Sequence, residues 1–214
     1  MNQPAKRYTS EIRDEQARRT RRAIVTAAHD LFLGQGYAAT TIDAIAQAAH
    51  VSRRTVFNSV GGKATVLKLA VDWAVVGDDE PIPMAERPAV QAIQAEPDPR
   101  KSLALWAQTV TEVAARVAPI GEVLAAAADA DPDAAQLAAD ADRERMFGAT
   151  AFVRYLASLG SLAPGLTHQH AADLCWAHMD THLYRRLVIQ RGWTTREYTQ
   201  WLSTSLAAAL LRSP

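Results

Sequence analysis

Two groups of side chains in this 214-residue sequence have the types and spacing that do chemistry. The first lies in TTIDAIAQAAHVSRRTVFNSVGGK, residues 40–63, where Ser52, Arg53, Arg54, Thr55 and Asn58 crowd hydroxyl, guanidinium and amide groups into one short stretch. Guanidinium forks and amides match phosphate oxygens and the edges of bases. The second is the histidine set His168, His170, His178 and His182, with Asp173 nearby. His178 and His182 stand at i and i+4, a spacing that lets one helix face offer two nitrogens to a metal. That set lacks the glutamate of the zinc-hydrolase pattern and any cysteine partner, so hydrogen-bonded or solvent-facing histidines are the simpler account. No metal and no cofactor are expected. An enzyme built on His178 and His182 would stand alone, because the sequence has no nucleophile elbow, phosphate-cradling loop or paired carboxylates.

Charge sharpens the first group. The chain is neutral overall, yet residues 1–63 hold ten Lys and Arg against five Asp and Glu, a net +5 that residues 64–214 cancel with −5. A basic third on an acidic remainder is what a protein needs when one end meets a polyanion. With 49% hydrophobic and 21% charged residues the chain suits a globular protein with a sizeable core. Cys175 is the single cysteine, which excludes an intramolecular disulfide. No apolar run reaches the roughly 20 residues of a membrane span, and the amino-terminal stretch lacks the apolar core of a secretory signal. The cytoplasm and no membrane partner are expected.

The elements that position these residues read as all-α, about nine helices, since no stretch sustains strand-like alternation. A first helix is predicted from about Ser10 to Leu33, ended by Gly34 to Gly36, with Ala23, Ile24, Ala27, Ala28, Leu31 and Phe32 on its inner face. A second starts near Thr40 or Thr41, and Ser52 caps a very short third after a tight turn at Ala49 to Val51. A fourth covers Lys63 to Val76. Four of the ten prolines fall between Gly77 and Asp98, which reads as a joint with at most a turn or two. Asp98 and Pro99 open a helix to about Ala118, where Pro119 and Gly121 break it before a short helix around Glu122 to Asp129. Asp131 and Pro132 open another to Leu159 and Gly160. One helix is then predicted from Thr167 to Arg191, and the last opens on the capping box of Thr194 and Glu197. The division expected is a basic amino-terminal module with its arm at 1–63 and a larger helical domain at 64–214.

Two short helices crossing at a tight turn, with Ala46, Val51 and Val56 inward and two arginines outward, form a helix-turn-helix pattern, whose second helix enters the major groove. Residues 18–69 resemble the DNA-binding domain of the tetracycline-repressor (TetR) family of bacterial regulators. RRAIVTAAHDLFLGQGYAATTIDAIAQAAHVS and the S-x-x-T-x-aromatic-x-x-x-x-x-K run from Ser52 to Lys63 carry the likeness. The stretch DLCWAHMDTHLYRRLVIQRGWTTREYTQWL is similar to the family's closing helices, which pair across a two-fold axis. The resemblance implies a repressor that binds a palindromic operator in double-stranded DNA as a homodimer and is released by a small molecule.

By the same resemblance Thr41 touches a phosphate, Ser52 opens the reading helix, Arg53 and Arg54 read bases, and Asn58 lies within reach of the duplex. Thr55 and Ser59 lie near the backbone, and Lys63 contacts phosphate, with Arg18 and Arg22 in support from the first helix. The departures are informative. Phe57 stands where the family has tyrosine and offers no hydroxyl to phosphate, Ser59 is shorter than the usual aromatic or histidine, and His50 occupies the turn position usual for glycine. Asp43 often has a basic counterpart and would repel the duplex unless it caps its helix. A helical small-molecule-binding protein of the same fold with weakened or lost DNA recognition is the alternative these departures raise.

In the larger domain Trp73, Trp106, Met146, Phe147, Tyr155, Trp176 and Met179, with Phe152, are the candidates to line a pocket between helices. Each would serve equally as plain core. An apolar or amphipathic effector is expected from the scarcity of charged residues available to such a pocket. Leu183, Leu187, Trp193, Trp201, Leu202, Leu206 and Leu210 are the candidate dimer residues, and a self-contained core could use the same spacing.

Overall fold

The computed structural model describes the backbone of residues 4–212 and the side chains of residues 13–212. Lys6 and Arg7 of the basic arm therefore lie outside the described side chains. Among the described residues ten α-helices follow one another: α1 Pro4–Ala39, α2 Ile42–Ala48, α3 Arg53–Ser59, α4 Lys63–Val76, α5 Pro88–Ala95, α6 Pro99–Ala128, α7 Pro132–Ser158, α8 His168–His178, α9 Thr181–Tyr184 and α10 Thr195–Leu210. A 3₁₀ turn, Met84–Glu86, precedes α5, and a π-helical turn, Arg185–Gln190, follows α9. Extended pairing among the described residues is confined to an isolated bridge between Leu162 and Leu211. The all-α expectation holds.

Local chemistry sets most boundaries. Thr41, Ser52, Asp98, Asp131 and Thr194 each accept a backbone N–H at a helix start, and Thr194 with Glu197 closes a reciprocal capping box. Helix α4 spans the residues expected of it. Helix α1 starts earlier than predicted and breaks at Gly36, whose φ of 79° suits glycine, before a last helical stretch to Ala39.

Three predictions are corrected. Helix α6 does not stop at Ala118; it runs through Pro119 to Ala128 and absorbs the separate helix expected at Glu122 to Asp129. Pro119 faces solvent, so the carbonyl it leaves unbonded lies on the wet side, while Ala114, Ala118, Ile120, Leu124 and Ala127 bury one continuous stripe. That burial offsets the proline penalty of about 3 kcal/mol. The single helix from Thr167 to Arg191 is divided at Met179 and Asp180, because the Asp180 carboxylate takes the His182 N–H at 2.9 Å and starts a new helix. The joint after α4, expected to hold at most a turn or two, holds the 3₁₀ turn and the eight residues of α5, which buries Ile93 against α6.

Two cores share α6 as their spine. One gathers α1 to α4 with Ile120, Leu124 and Ala127 of α6 and Ala134 of α7; the other gathers Leu103 to Ala118 of α6 with α5, α7, α8 and α10. Packing of the amino-terminal helices thus continues past residue 63 into α4 and the spine.

Candidate nucleic-acid interface

Helix α2 begins where the Thr41 hydroxyl accepts the Ala44 N–H at 3.1 Å. The chain turns at His50, which adopts φ 54° and so takes the left-handed conformation that glycine would hold at no steric penalty. The Val51 N–H returns to the Ala46 carbonyl at 2.9 Å and closes the turn. Ser52 then caps α3 by accepting the Thr55 N–H at 3.0 Å, and the two hydroxyls lie 2.8 Å apart. Val56 is fully buried beside Ile45 in the first core and fixes which face of α3 looks out. Ser52, Arg53, Arg54, Phe57 and Asn58 occupy that exposed face, with Thr55 and Ser59 half-buried at its edge. The structure thus brings these seven expected residues onto one short helix and its cap.

Asp43 does not cap α2. Its carboxylate reaches across the turn to the Arg53 guanidinium at 3.1 Å, and the guanidinium carbon lies 5.7 Å from the centre of the exposed Phe57 ring. Asp43 is thereby an ion-pair partner of Arg53 across the turn.

Lys63, the expected phosphate contact, is engaged within the chain. Its ammonium donates to the Tyr37 carbonyl at 2.7 Å and lies 4.0 Å over the Tyr37 ring, and burial lowers its pKa. Tyr37 in turn donates its hydroxyl to Asp131 at 3.0 Å. Burial, with the Asp131 carboxylate adding, pushes the phenol up to about 12.

Arg18 and Arg22 also have protein partners. Arg18 pairs with Glu80 at 3.2 Å, and Arg22 donates through Nε at 3.0 Å and through Nη2 to Asp79, whose side chain is only 7% exposed. The hydrogen bond from Arg22 holds the Asp79 carboxyl below its ordinary value. Next to them Arg87 grips Asp78 at 2.8 and 3.0 Å and holds its carboxyl down to about 2. Arg116 of α6 donates to the Ala74 and Val75 carbonyls at 2.9 and 3.0 Å. This ionic joint lies beyond the carboxyl end of α4, whereas Lys63 opens that 14-residue helix, roughly 20 Å away at 1.5 Å per residue. Sequence reasoning missed Asp78, Asp79, Glu80 and Asp131 as partners. The acidic run GDDE directly after a helix, facing the RRTRR run of α1, was the signal for the first three.

Of the seven pocket candidates, Trp106, Met146, Trp176 and Met179 share the second core. Trp73 belongs to the first core; Trp106 is buried in the second, stacked on Phe152 at 4.8 Å between ring centres. Tyr155 donates to the Glu96 carbonyl at 2.6 Å, and Met146, Trp176 and Met179 pack half-buried on the second core. Phe147 is 76% exposed. A surface groove of about 310 Å³ between α6 and α10, lined by Gln108, Thr111, Glu112, Arg196 and Gln200, and a crevice of about 20 Å³ beside Lys68 and Asp72 contain none of the seven. Of the dimer candidates, Leu202, Leu206 and Leu210 are fully buried within the chain's own core, while Leu183, Leu187, Trp193 and Trp201 are half-buried. The break at Asp180 separates His178 and His182. His178 Nδ1 lies 2.8 Å from the Leu174 carbonyl and His182 Nδ1 3.0 Å from Asp180. Among the described residues no three His, Cys, Asp or Glu side chains are grouped to hold a metal, and no helix is long and apolar enough to cross a membrane.

A capped helix pair with a basic exposed second helix, built onto a larger helical body, defines a helix-turn-helix protein. Residues 24–69 match the family model described as bacterial regulatory proteins, tetR family. It is 38% identical over 80 residues to the HTH-type transcriptional regulator TcmR of Streptomyces glaucescens, a match covering 36% of this chain and 35% of that regulator. The chain therefore aligns with only about a third of that relative's length. In fold it resembles NalD, described as the secondary repressor of the MexAB-OprM multidrug efflux pump in Pseudomonas aeruginosa, with a TM-score of 0.64 at 20% identity over 92% of this chain and 100% of NalD. A regulator candidate of the same family from Syntrophomonas wolfei gives a TM-score of 0.69 at 18% identity over 88% of this chain and 93% of that one. At these identities the structural likeness speaks to the fold.

Proposed function

We propose that the protein is a ligand-responsive transcriptional regulator, a repressor acting in the cytoplasm that binds a palindromic operator in duplex DNA as a homodimer and is released by an apolar or amphipathic small molecule. The observation that carries this reading is α3: seven residues, capped at Ser52, anchored by Val56, and presenting Arg53, Arg54 and Asn58 on one exposed face. Such a helix fits the major groove, where arginine forks pair with guanine and amides with adenine. Residues 1–63 supply the reading head and residues 64–214 the ligand and dimer functions. Release requires only that ligand and DNA favour different arrangements of the two cores that share α6.

The exposed face of α3 and the ion pairs of the joint support the following division of roles. Arg53, Arg54 and Asn58 face bases; Thr41, Ser52, Thr55 and Ser59 lie toward the backbone. Lys63, Arg18 and Arg22 serve first to fasten the amino-terminal helices to the rest of the chain. The test is selection of duplexes from random genomic fragments, followed by salt titration of the enriched site with wild type and Arg53→Ala/Arg54→Ala. A palindrome is expected, with affinity falling steeply as salt rises and the double variant losing its preference. If no sequence is enriched and weak binding survives the double substitution, the fold serves small-molecule binding without DNA recognition.

A further inference from the structure

Asp43 on α2 and Arg53 on α3 stand ten residues apart across the turn, and the carboxylate engages only one end of the guanidinium. Nη1 donates to both carboxylate oxygens, at 3.1 and 3.4 Å, while the guanidinium carbon lies 5.7 Å from the centre of the Phe57 ring one turn further along α3. Among the described residues Nε and Nη2 of Arg53 have no hydrogen-bond partner. We propose that Asp43 is a specificity-determining positioning residue, which aims Arg53 at a base edge and withholds it from phosphate. The inference rests on the regulator reading of α3.

The physical case has three parts. An arginine as exposed as Arg53, at 62% of its side chain, would otherwise sample many rotamers and lose that freedom on binding. The carboxylate on one side and the aromatic face on the other restrict it beforehand. Bidentate recognition of guanine needs two N–H donors on one edge of the fork, and Nε and Nη2 are left for it. Finally, an unpaired arginine beside a duplex binds the phosphates of any sequence, whereas a neighbouring carboxylate competes for the cation and repels the backbone. Asp43 thus exchanges general affinity for discrimination against duplexes that offer Arg53 no matching acceptors. Phe57 suits this arrangement, since it supplies a ring face for the guanidinium and no hydroxyl to compete for it.

The experiment uses the full chain with Asp43→Asn, Asp43→Glu and Arg53→Lys, measured over a range of salt. The probes are the duplex enriched by the wild-type protein, each single-base-pair variant of it, and an unrelated duplex. Asp43→Asn is expected to bind the unrelated duplex more tightly, with a log-log salt slope steeper by about 0.9 as one more phosphate contact forms. Its discrimination at one base pair of each half-site should fall by at least about fivefold. Asp43→Glu keeps the charge and should retain the wild-type salt slope. Arg53→Lys keeps the cation without the fork and should lose discrimination at that same base pair. Because the pair is exposed, thermal unfolding should barely change in Asp43→Asn, which separates positioning from a structural role. Discrimination at every base pair staying within about twofold of wild type in Asp43→Asn, or an equal loss toward selected and unrelated duplexes, overturns the inference. A wild-type protein that enriches no duplex overturns the regulator reading and this inference with it.

Discussion

Tyr37 meets three elements at once. It lies in the last stretch of α1, its carbonyl takes the Lys63 ammonium that opens α4, and its hydroxyl reaches the Asp131 carboxylate that caps α7. The ring also stacks on buried Phe32 at 5.8 Å. Tyr37→Phe removes only the hydroxyl bond, and Asp131 keeps its two backbone N–H donors. The expected loss is therefore about 1 kcal/mol, a fall of about 2–4 °C in Tm for a chain of this size. The pH dependence has a definite sign. The phenol titrates near 10 when unfolded and at about 12 in the fold, so its contribution is complete below pH 10 and disappears as pH rises from 10 to 12. Calorimetry of both proteins should show a constant gap below pH 10 that narrows above it; a gap independent of pH across that window would mean the hydroxyl is not held by Asp131.

At the scale of elements the ionic joint after α4 makes an opposite prediction. Asp78 and Asp79 have pKa values held down by Arg87 and Arg22. Their contribution is present above the unfolded value near 3.9 and is lost as pH falls toward about 2 in the case of Asp78. Asp79→Asn, which removes the nearly buried partner of Arg22, should lower stability at pH 7 by about 1 kcal/mol and flatten the acid limb below the ordinary carboxylate value near 3.9. An acid limb identical to wild type would show that Asp79 does not carry the joint. Elements were legible where local chemistry decides them: the caps at Thr41, Ser52, Asp98, Asp131 and Thr194 are short-range events. The reading helix was legible for the same reason, since a cap, one inward valine and outward arginines lie within seven residues. Pro119 and Asp180 misled in opposite directions. Tertiary burial carries α6 through a proline that faces water, and one carboxylate divides a helix that periodicity shows as continuous. The partners of Arg18 and Arg22 lie 62 and 57 residues away, a distance across which spacing carries no information, while Asp43 and Arg53 were each conspicuous without their contact being readable.

For the molecule as a whole, the question is how the terminal helices divide their apolar residues between the chain's own core and a second copy. Leu202, Leu206 and Leu210 are fully buried with Tyr198 against α6, so a partner could reach them only by opening that core. Leu183, Leu187, Trp193 and Trp201 retain exposure, with Trp193 set edge-on to Trp201 at 6.3 Å. A dimer through these helices must use the second set. Unfolding linked to dissociation makes Tm rise with protein concentration, which gives the two sets different signatures. Leu206→Ala should cost about 2–5 kcal/mol by leaving a cavity, lowering Tm at every concentration while the concentration dependence persists. Leu187→Asp places a charge where a partner would seat an apolar side chain, so it should abolish the concentration dependence and sediment as a single chain. If wild-type Tm is independent of concentration and the protein sediments as one chain, the half-exposed face has no second copy on it, and the proposed homodimer is overturned.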